Sequence, residues 1–183
     1  MHSSIKQFLF AGLWCAIILF VVRCAIAKPT GLYESFGYAG EAISVSVILM
    51  GFYERILWRF NPFAKTPKIN GYYSATIEYK NGEKFKKKNV NVKIKQSLLA
   101  VNVKIITNEI TSNSITSYLE ETNGEYILYY TYITNPQIKY SQENPIQYGT
   151  CRIIINNEDE LNGIYWTSRQ RTGDIKLKRS SVK

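Results

Sequence analysis

Two long apolar runs open the chain, and short alternating runs fill the rest. Phe8 to Ala27 is apolar apart from Arg23, and its roughly 20 residues make about 30 Å of helix, the thickness of a bilayer core. Arg23 lies near one end, where its long stem lets the charge snorkel to the interface. A second predicted span, about 38–58, is less apolar and carries Gly40, Glu41, Ser44, Ser46 and Gly51. Small and hydroxylated residues of this kind let neighbouring helices pack closely in lipid. Glu41 has two readings, an interfacial carboxylate at the outer helix end or a polar group that lines a pore after oligomerisation. The first run also fits a signal peptide, with Lys6 before it and Ala25-Ile26-Ala27 as a cleavage site. Arg23 is awkwardly placed for that alternative. Both readings put the β-rich remainder of the chain in the cytoplasm, because Arg55, Arg59, Lys65 and Lys68 come after the second span while the preceding loop has one Lys.

Beyond Pro67 the pattern changes to strands of period two. The predicted strands are Gly71 to Tyr79, Asn89 to Leu98, Leu99 to Thr107, Ser114 to Glu121, Glu125 to Thr134, Gln147 to Asn156, Leu161 to Gln170 and Asp174 to Arg179. Lys80-Asn81-Gly82, Asn123-Gly124 and Thr172-Gly173 read as turns, and Asn156 to Asp159 as a polar connection. Eight strands with short links and no amphipathic helix give an up-and-down β-barrel, whose lumen holds side chains or one small ligand. The organisation expected is a two-helix transmembrane hairpin over 1–62 (about 8–27 and 38–58), a linker over 63–68, and an all-β barrel over 69–183.

Alternation assigns some inward faces. Val90, Val92, Ile94 and Gln96 share one face, as do Leu161, Gly163, Tyr165, Thr167 and Arg169. Strands five and six are apolar or aromatic on both faces, so parity leaves open whether Tyr126, Leu128, Tyr130 and Tyr132 or Ile127, Tyr129, Thr131 and Ile133 face inward. The same holds for Tyr148, Thr150, Arg152 and Ile154 against Gly149, Cys151, Ile153 and Ile155. The rows read as apolar at one end and polar at the other, with Arg169, Thr167 and Gln96 at the polar end. An inward Arg needs an anionic partner. That partner is either a protein carboxylate, which the assigned rows lack, or a bound phosphate, which suits guanidinium geometry. Tyrosines are either plain core or flat surfaces on which bases stack.

Composition narrows the chemistry. The chain carries a net +9, of which residues 69–183 hold 16 Lys and Arg against 11 Asp and Glu. A modestly basic domain suits an anionic ligand or an anionic leaflet. Lys84, Lys86, Lys87 and Lys88 form the one dense basic run, which is a solvated hairpin tip rather than a track for DNA or RNA polymers. His2 is the single histidine, which removes most zinc sites and histidine-based nucleophilic catalysis. Cys15 and Cys24 lie in the first apolar run and Cys151 is alone in the β domain, so no disulfide staples the barrel. No carboxylate pair or phosphate-cradling glycine loop appears, and no enzyme, metal or cofactor is expected.

A set of ordered motifs carries a family resemblance. They are Ile69-Asn70-Gly71-Tyr72, Gln96, Ser112-x-Ser114, Leu128-x-Tyr130-x-Tyr132-x-x-Asn135-Pro136, Gly149-Thr150, Leu161-x-Gly163-x-Tyr165-x-Thr167-x-Arg169 and Gly173-x-Ile175. Behind two hydrophobic helices, this pattern resembles the SMODS-associating two-transmembrane, β-strand-rich effectors, the CD-NTase-associated protein 15 type of CBASS anti-phage effector. The resemblance implies a cytosolic barrel that receives a cyclic dinucleotide from a partner nucleotidyltransferase. It further implies self-association and disruption of the bacterial inner membrane, with both termini cytoplasmic. It points to Tyr130, Tyr132, Asn135, Thr150, Tyr165, Thr167 and Arg169 as ligand contacts, with Gln96 and Ser114 beside them. The rival from the residues themselves is a membrane-tethered, lipocalin-like carrier or sensor of an apolar anionic ligand.

Overall fold

The computed structural model describes residues 3–81, 84–142 and 144–180. It divides into two units, Met1–Ala64 and Lys65–Lys183.

The first unit is a helical hairpin, with α1 over Ser3–Ala27 and α2 over Leu32–Arg55. Both helices are long and apolar enough to cross a membrane. The second helix starts earlier than its apolar pattern suggested, because Tyr33 to Gly37 are compatible with helix though not strongly apolar. Lys28, in the left-handed region at φ 46°, ends the first helix. Polar ties cross the hairpin. Ser46 donates its hydroxyl to the Gly12 carbonyl at 2.9 Å, and Arg23 Nε reaches Glu41 Oε2 at 2.9 Å. The Arg23 guanidinium also lies 4.7 Å from the centre of the Tyr38 ring. Ser46 is therefore spent within the hairpin, whereas a Cβ on Gly40 or Gly51 would meet nothing within 4 Å.

The second unit is a closed antiparallel barrel in which eight strands follow one another in chain order. They are β1 (Gly71–Asn81), β2 (Lys84–Gln96), β3 (Val101–Ile106), β4 (Ile110–Thr122), β5 (Glu125–Pro136), β6 (Gln147–Ile155), β7 (Glu160–Thr167) and β8 (Thr172–Arg179). Two N-terminal apolar helices followed by an up-and-down barrel is the fold the alternation implied. Closure pairs β1 with β8 and so removes the sheet edges. Asn123 (φ 53°) and Gly124 (φ 82°) form the two-residue β4–β5 turn, since both positions of a type I′ turn need positive φ. The turn read at Lys80-Asn81-Gly82 lies in part outside the described residues, although Asn81 pairs with Lys84. The Thr172-Gly173 turn is a correction: both residues belong to β8, and the chain reverses at 168–170 with Gln170 at φ 56°. The Thr167 N–H donates to the Arg171 carbonyl at 2.9 Å, which closes this hairpin and ends β7 two residues before Arg169.

The core fills one end of the barrel. Tyr73, Ala75, Val92, Ile94, Val103, Leu128, Ile153, Leu161, Ile175 and Leu177 are all buried in it. Ile69, from the segment entering the barrel, is fully buried at this end. Gln96 secures it, accepting from the Ile69 N–H and donating to the Pro67 carbonyl, both at 2.8 Å. Arg179 locks the same segment from the other side, donating to the carbonyls of Lys68 (2.9 Å), Asn70 (3.0 Å) and Glu158 (2.9 Å). The chain thus enters at a closed, apolar end, and the barrel opens at the opposite one.

Candidate functional site

In a pure meander, odd strands all finish at one end and even strands at the other. The C-terminal ends of β1, β3, β5 and β7 surround the open end, together with the N-terminal ends of the even strands. There the interior widens into a cavity of about 200 Å³. Ile77, Val90, Ile105, Ile110 and Ile175 form its apolar wall. Tyr79, Tyr130, Tyr132 and Tyr165 line it with aromatic rings, and Ser112, Thr107, Thr134, Thr167, Asn144 and Gln147 supply neutral polar groups. Lys88 and Arg171 bring two cations, and among the described residues no carboxylate joins the lining.

Glycines seat the rings. Tyr132 pairs directly with Gly149, and a Cβ at 149 would come within 2.4 Å of the Tyr132 ring and hydroxyl. Tyr165 pairs with Gly173, where a Cβ would meet the ring at 2.7 Å. Each inward glycine frees space for the opposing tyrosine to lie across the ladder, a rescue of glycine by a cross-strand aromatic ring. Tyr130 and Tyr132 themselves lie with ring centres 5.9 Å apart, tilted by 48°. Desolvation raises the Tyr130 and Tyr132 phenols well above their ordinary value and pushes the Cys151 thiol up to about 12. All three therefore stay neutral near pH 7, so the cavity floor holds no anion to repel one.

The cations sit at the mouth. Lys88 Nζ pairs with Glu109 Oε2 at 2.7 Å, and both residues are about two-thirds withdrawn from solvent. The side chain of Arg171 makes no hydrogen bond or ion pair with the described residues, while its backbone N–H reaches Thr167 Oγ1 at 3.3 Å. A guanidinium at the rim of a tyrosine-lined hollow, bonded to none of the described residues, suits a phosphate oxygen.

The structure brings together Tyr130, Tyr132, Tyr165 and Thr167 of the residues singled out in the sequence. The other five lie outside the lining. Arg169 is exposed in the β7–β8 turn, because the hairpin closes at Thr167 and alternation no longer governs its side chain. Thr150 has the opposite parity to Gly149 and Cys151, and pairs with Thr131 and Trp166 among outward-facing residues. Asn135 likewise has the parity opposite to Tyr130 and Tyr132 and is exposed. Gln96 ends an even strand, so it lies at the closed end, not the polar one. Ser114 is used by the ladder, accepting from the Val103 N–H at 3.0 Å beside the bulge that leaves Ile115 exposed. Arg171, Lys88, Gln147 and Tyr79 are among the lining residues not singled out in the sequence. Lys88 was legible: it has the parity of Val90, Val92 and Ile94 and so continues their inward row.

The fold is a closed eight-stranded barrel with a tyrosine-lined hollow and two cations at its mouth, preceded in the chain by two apolar helices. Residues 64–179 match the family model of the Cap15 cyclic dinucleotide receptor domain. Over 182 residues, 98% of this chain and 99% of the relative, the sequence is 40% identical to the CD-NTase-associated protein 15 of Staphylococcus schleiferi. The chain therefore belongs to the CD-NTase-associated protein 15 family. A solved redesigned β-barrel is also similar, at a TM-score of 0.46 and 12% identity over 62% of this chain and 92% of that one.

Proposed function

We propose that this protein is a CBASS anti-phage effector in which a cyclic dinucleotide, made by a partner CD-NTase nucleotidyltransferase, binds the open end of the barrel. The observation that carries this reading is a tyrosine-lined hollow with Lys88 and Arg171 at its mouth, the Arg171 guanidinium making no hydrogen bond or ion pair with the described residues, and no carboxylate among the described lining residues. Phosphate goes to the rim cations and a base to the tyrosine faces. Family membership supports the ligand class, since the matched domain is a cyclic dinucleotide receptor.

The protein acts without catalysis and needs no cofactor beyond the activating ligand. The two helices span the bacterial inner membrane, with the barrel and both termini on the cytoplasmic side, as the basic residues after the second helix favour. Ligand binding drives self-association, and the clustered hairpins then disrupt the bilayer. This requires the ligand to bind the assembled state more tightly than the resting one. Gly40 and Gly51, open on the hairpin surface, are the positions at which neighbouring hairpins approach closely.

Calorimetry of the full-length protein in detergent tests the reading, with cyclic dinucleotides and a medium-chain fatty acid as alternative titrants. Saturable binding of a cyclic dinucleotide, together with ligand-dependent dye release from vesicles carrying the protein, is the expected result. Binding of the fatty acid alone would make the barrel a carrier of apolar anions instead.

A further inference from the structure

Gln147 stands apart from the other polar residues of the cavity. It is the first residue of β6, has the inward parity of Cys151, and is only 9% exposed. Its main chain is occupied on both sides: the N–H donates to Thr134 Oγ1 at 2.9 Å and the carbonyl accepts from the same hydroxyl at 3.3 Å. Its side-chain amide makes no hydrogen bond with the described residues, yet it lines the cavity. Its amide is therefore available inside the cavity to a ligand that supplies both a donor and an acceptor.

The size of the hollow limits what reaches that amide. At about 200 Å³ it is smaller than the roughly 300–1,000 Å³ of pockets that enclose a drug-sized molecule. A cyclic dinucleotide has two bases, two riboses and two charged phosphates, and cannot enter whole. One flat base can, and the phosphates then remain beside Lys88 and Arg171, where water still reaches them. Each nucleobase has an edge on which a donor lies next to an acceptor, in an order and position that differ between bases, and a Gln amide held in one orientation reads such an edge in bidentate fashion.

We infer that the barrel admits one base of the dinucleotide, that Gln147 reads the edge of this base, and that the second nucleoside stays outside the lumen. The inference rests on the proposed ligand class and adds to it which part of the ligand is discriminated and by what residue.

The test uses full-length protein in detergent with cyclic di-AMP, cyclic di-GMP, cyclic di-UMP and the mixed-base AMP–GMP and UMP–AMP rings. If one base is read, a mixed ring binds within about twofold of its better homodimer, the statistical factor for presenting one copy of the base instead of two. Affinities of mixed rings midway between the homodimers on a logarithmic scale would show that both bases are read, and overturn the inference. Gln147→Met should compress the spread among the homodimers from about five- to a hundredfold toward unity. Gln147→Glu, which keeps the shape and loses the donor, should reorder the ranking rather than compress it. Melting curves of both variants that match the wild type confirm that the barrel is intact. A base ranking unchanged in both variants overturns the role of Gln147 while leaving cyclic dinucleotide binding standing. No binding by any ring overturns both.

Discussion

Tyr132 lies directly across the ladder from Gly149, and a single added carbon at 149 would come within 2.4 Å of its ring. The ring position is therefore set by what β6 lacks. Gly149→Ala is expected to push Tyr132 out of the cavity wall, costing about 1–3 kcal/mol of stability by overpacking and weakening ligand binding. Tyr132→Leu in the same chain should recover part of that stability, measured by thermal melting, because the two changes act on one contact. Recovery stays partial, since the Trp166 carbonyl is also 2.7 Å from the added carbon.

Arg171 lines the cavity mouth, and Arg169 lies in the turn outside the lining. Arg171→Ala should weaken cyclic dinucleotide binding by about tenfold or more, the scale of a hydrogen bond to a charged group. Arg169→Ala should stay within about twofold, since its side chain is exposed in the turn and outside the cavity lining. Calorimetry of the two variants side by side decides it, and a larger loss in Arg169→Ala would reverse the assignment.

On the proposed binding mode, Glu109 should compete with the ligand for Lys88. Its carboxylate holds the ammonium at 2.7 Å at the cavity mouth. Glu109→Gln frees that cation and removes a negative charge, so binding should tighten by about two- to fivefold at low salt, with the gain fading as salt screens the mouth. Weaker binding in this variant would mean that Glu109 positions Lys88 for the ligand.

Alkaline pH should loosen the barrel. Burial raises the Cys151 thiol from 9.0 to about 12 and the Tyr73 phenol from 10.0 to about 12. In both cases the folded state favours the neutral form. Their contribution is complete below the unfolded values and is lost as pH climbs from about 9 toward 12. Urea unfolding of the full-length protein should therefore show falling midpoints across this window, and Cys151→Ala should flatten the first part of the decline. Midpoints that do not change with pH would sink the assignment.

An ion pair joins the two helices, Arg23 with Glu41 at 2.9 Å. Arg23→Gln leaves the carboxylate alone on an apolar helix, and should lower the amount of protein that accumulates in membranes several-fold. The exchanged pair, Arg23→Glu with Glu41→Arg, should restore it. If Glu41 serves only as a solvated interfacial group, neither change will matter when membrane fractions are compared by blotting.

The residues divide by how local their determinants are. Apolar runs near 20 residues are long enough to span lipid, so the two helices are legible from length and hydropathy alone. Alternation with short links likewise makes the meander legible, and Asn123-Gly124 specifies its own turn. The direction of each strand is legible too. It sends Gln96 to the closed end, since every even strand of a meander finishes opposite every odd one.

What the chain determined unaided, then, is two apolar helices, eight strands in order, and the inward row from Val90 to Gln96, because each depends on the periodicity of a single segment. What only the tertiary structure decided is which face of β5 and β6 turns inward. Both faces of these strands are apolar, so burial by itself does not choose between them. The choice appears when the strands are paired, with Tyr132 over Gly149 and Tyr165 over Gly173. The cavity mouth obeys the same logic. Arg171 reaches it because the hairpin closes at Thr167, and Gln147 because β6 begins where β5 and β7 end. Those are relations between strands, and no periodicity within one strand encodes them.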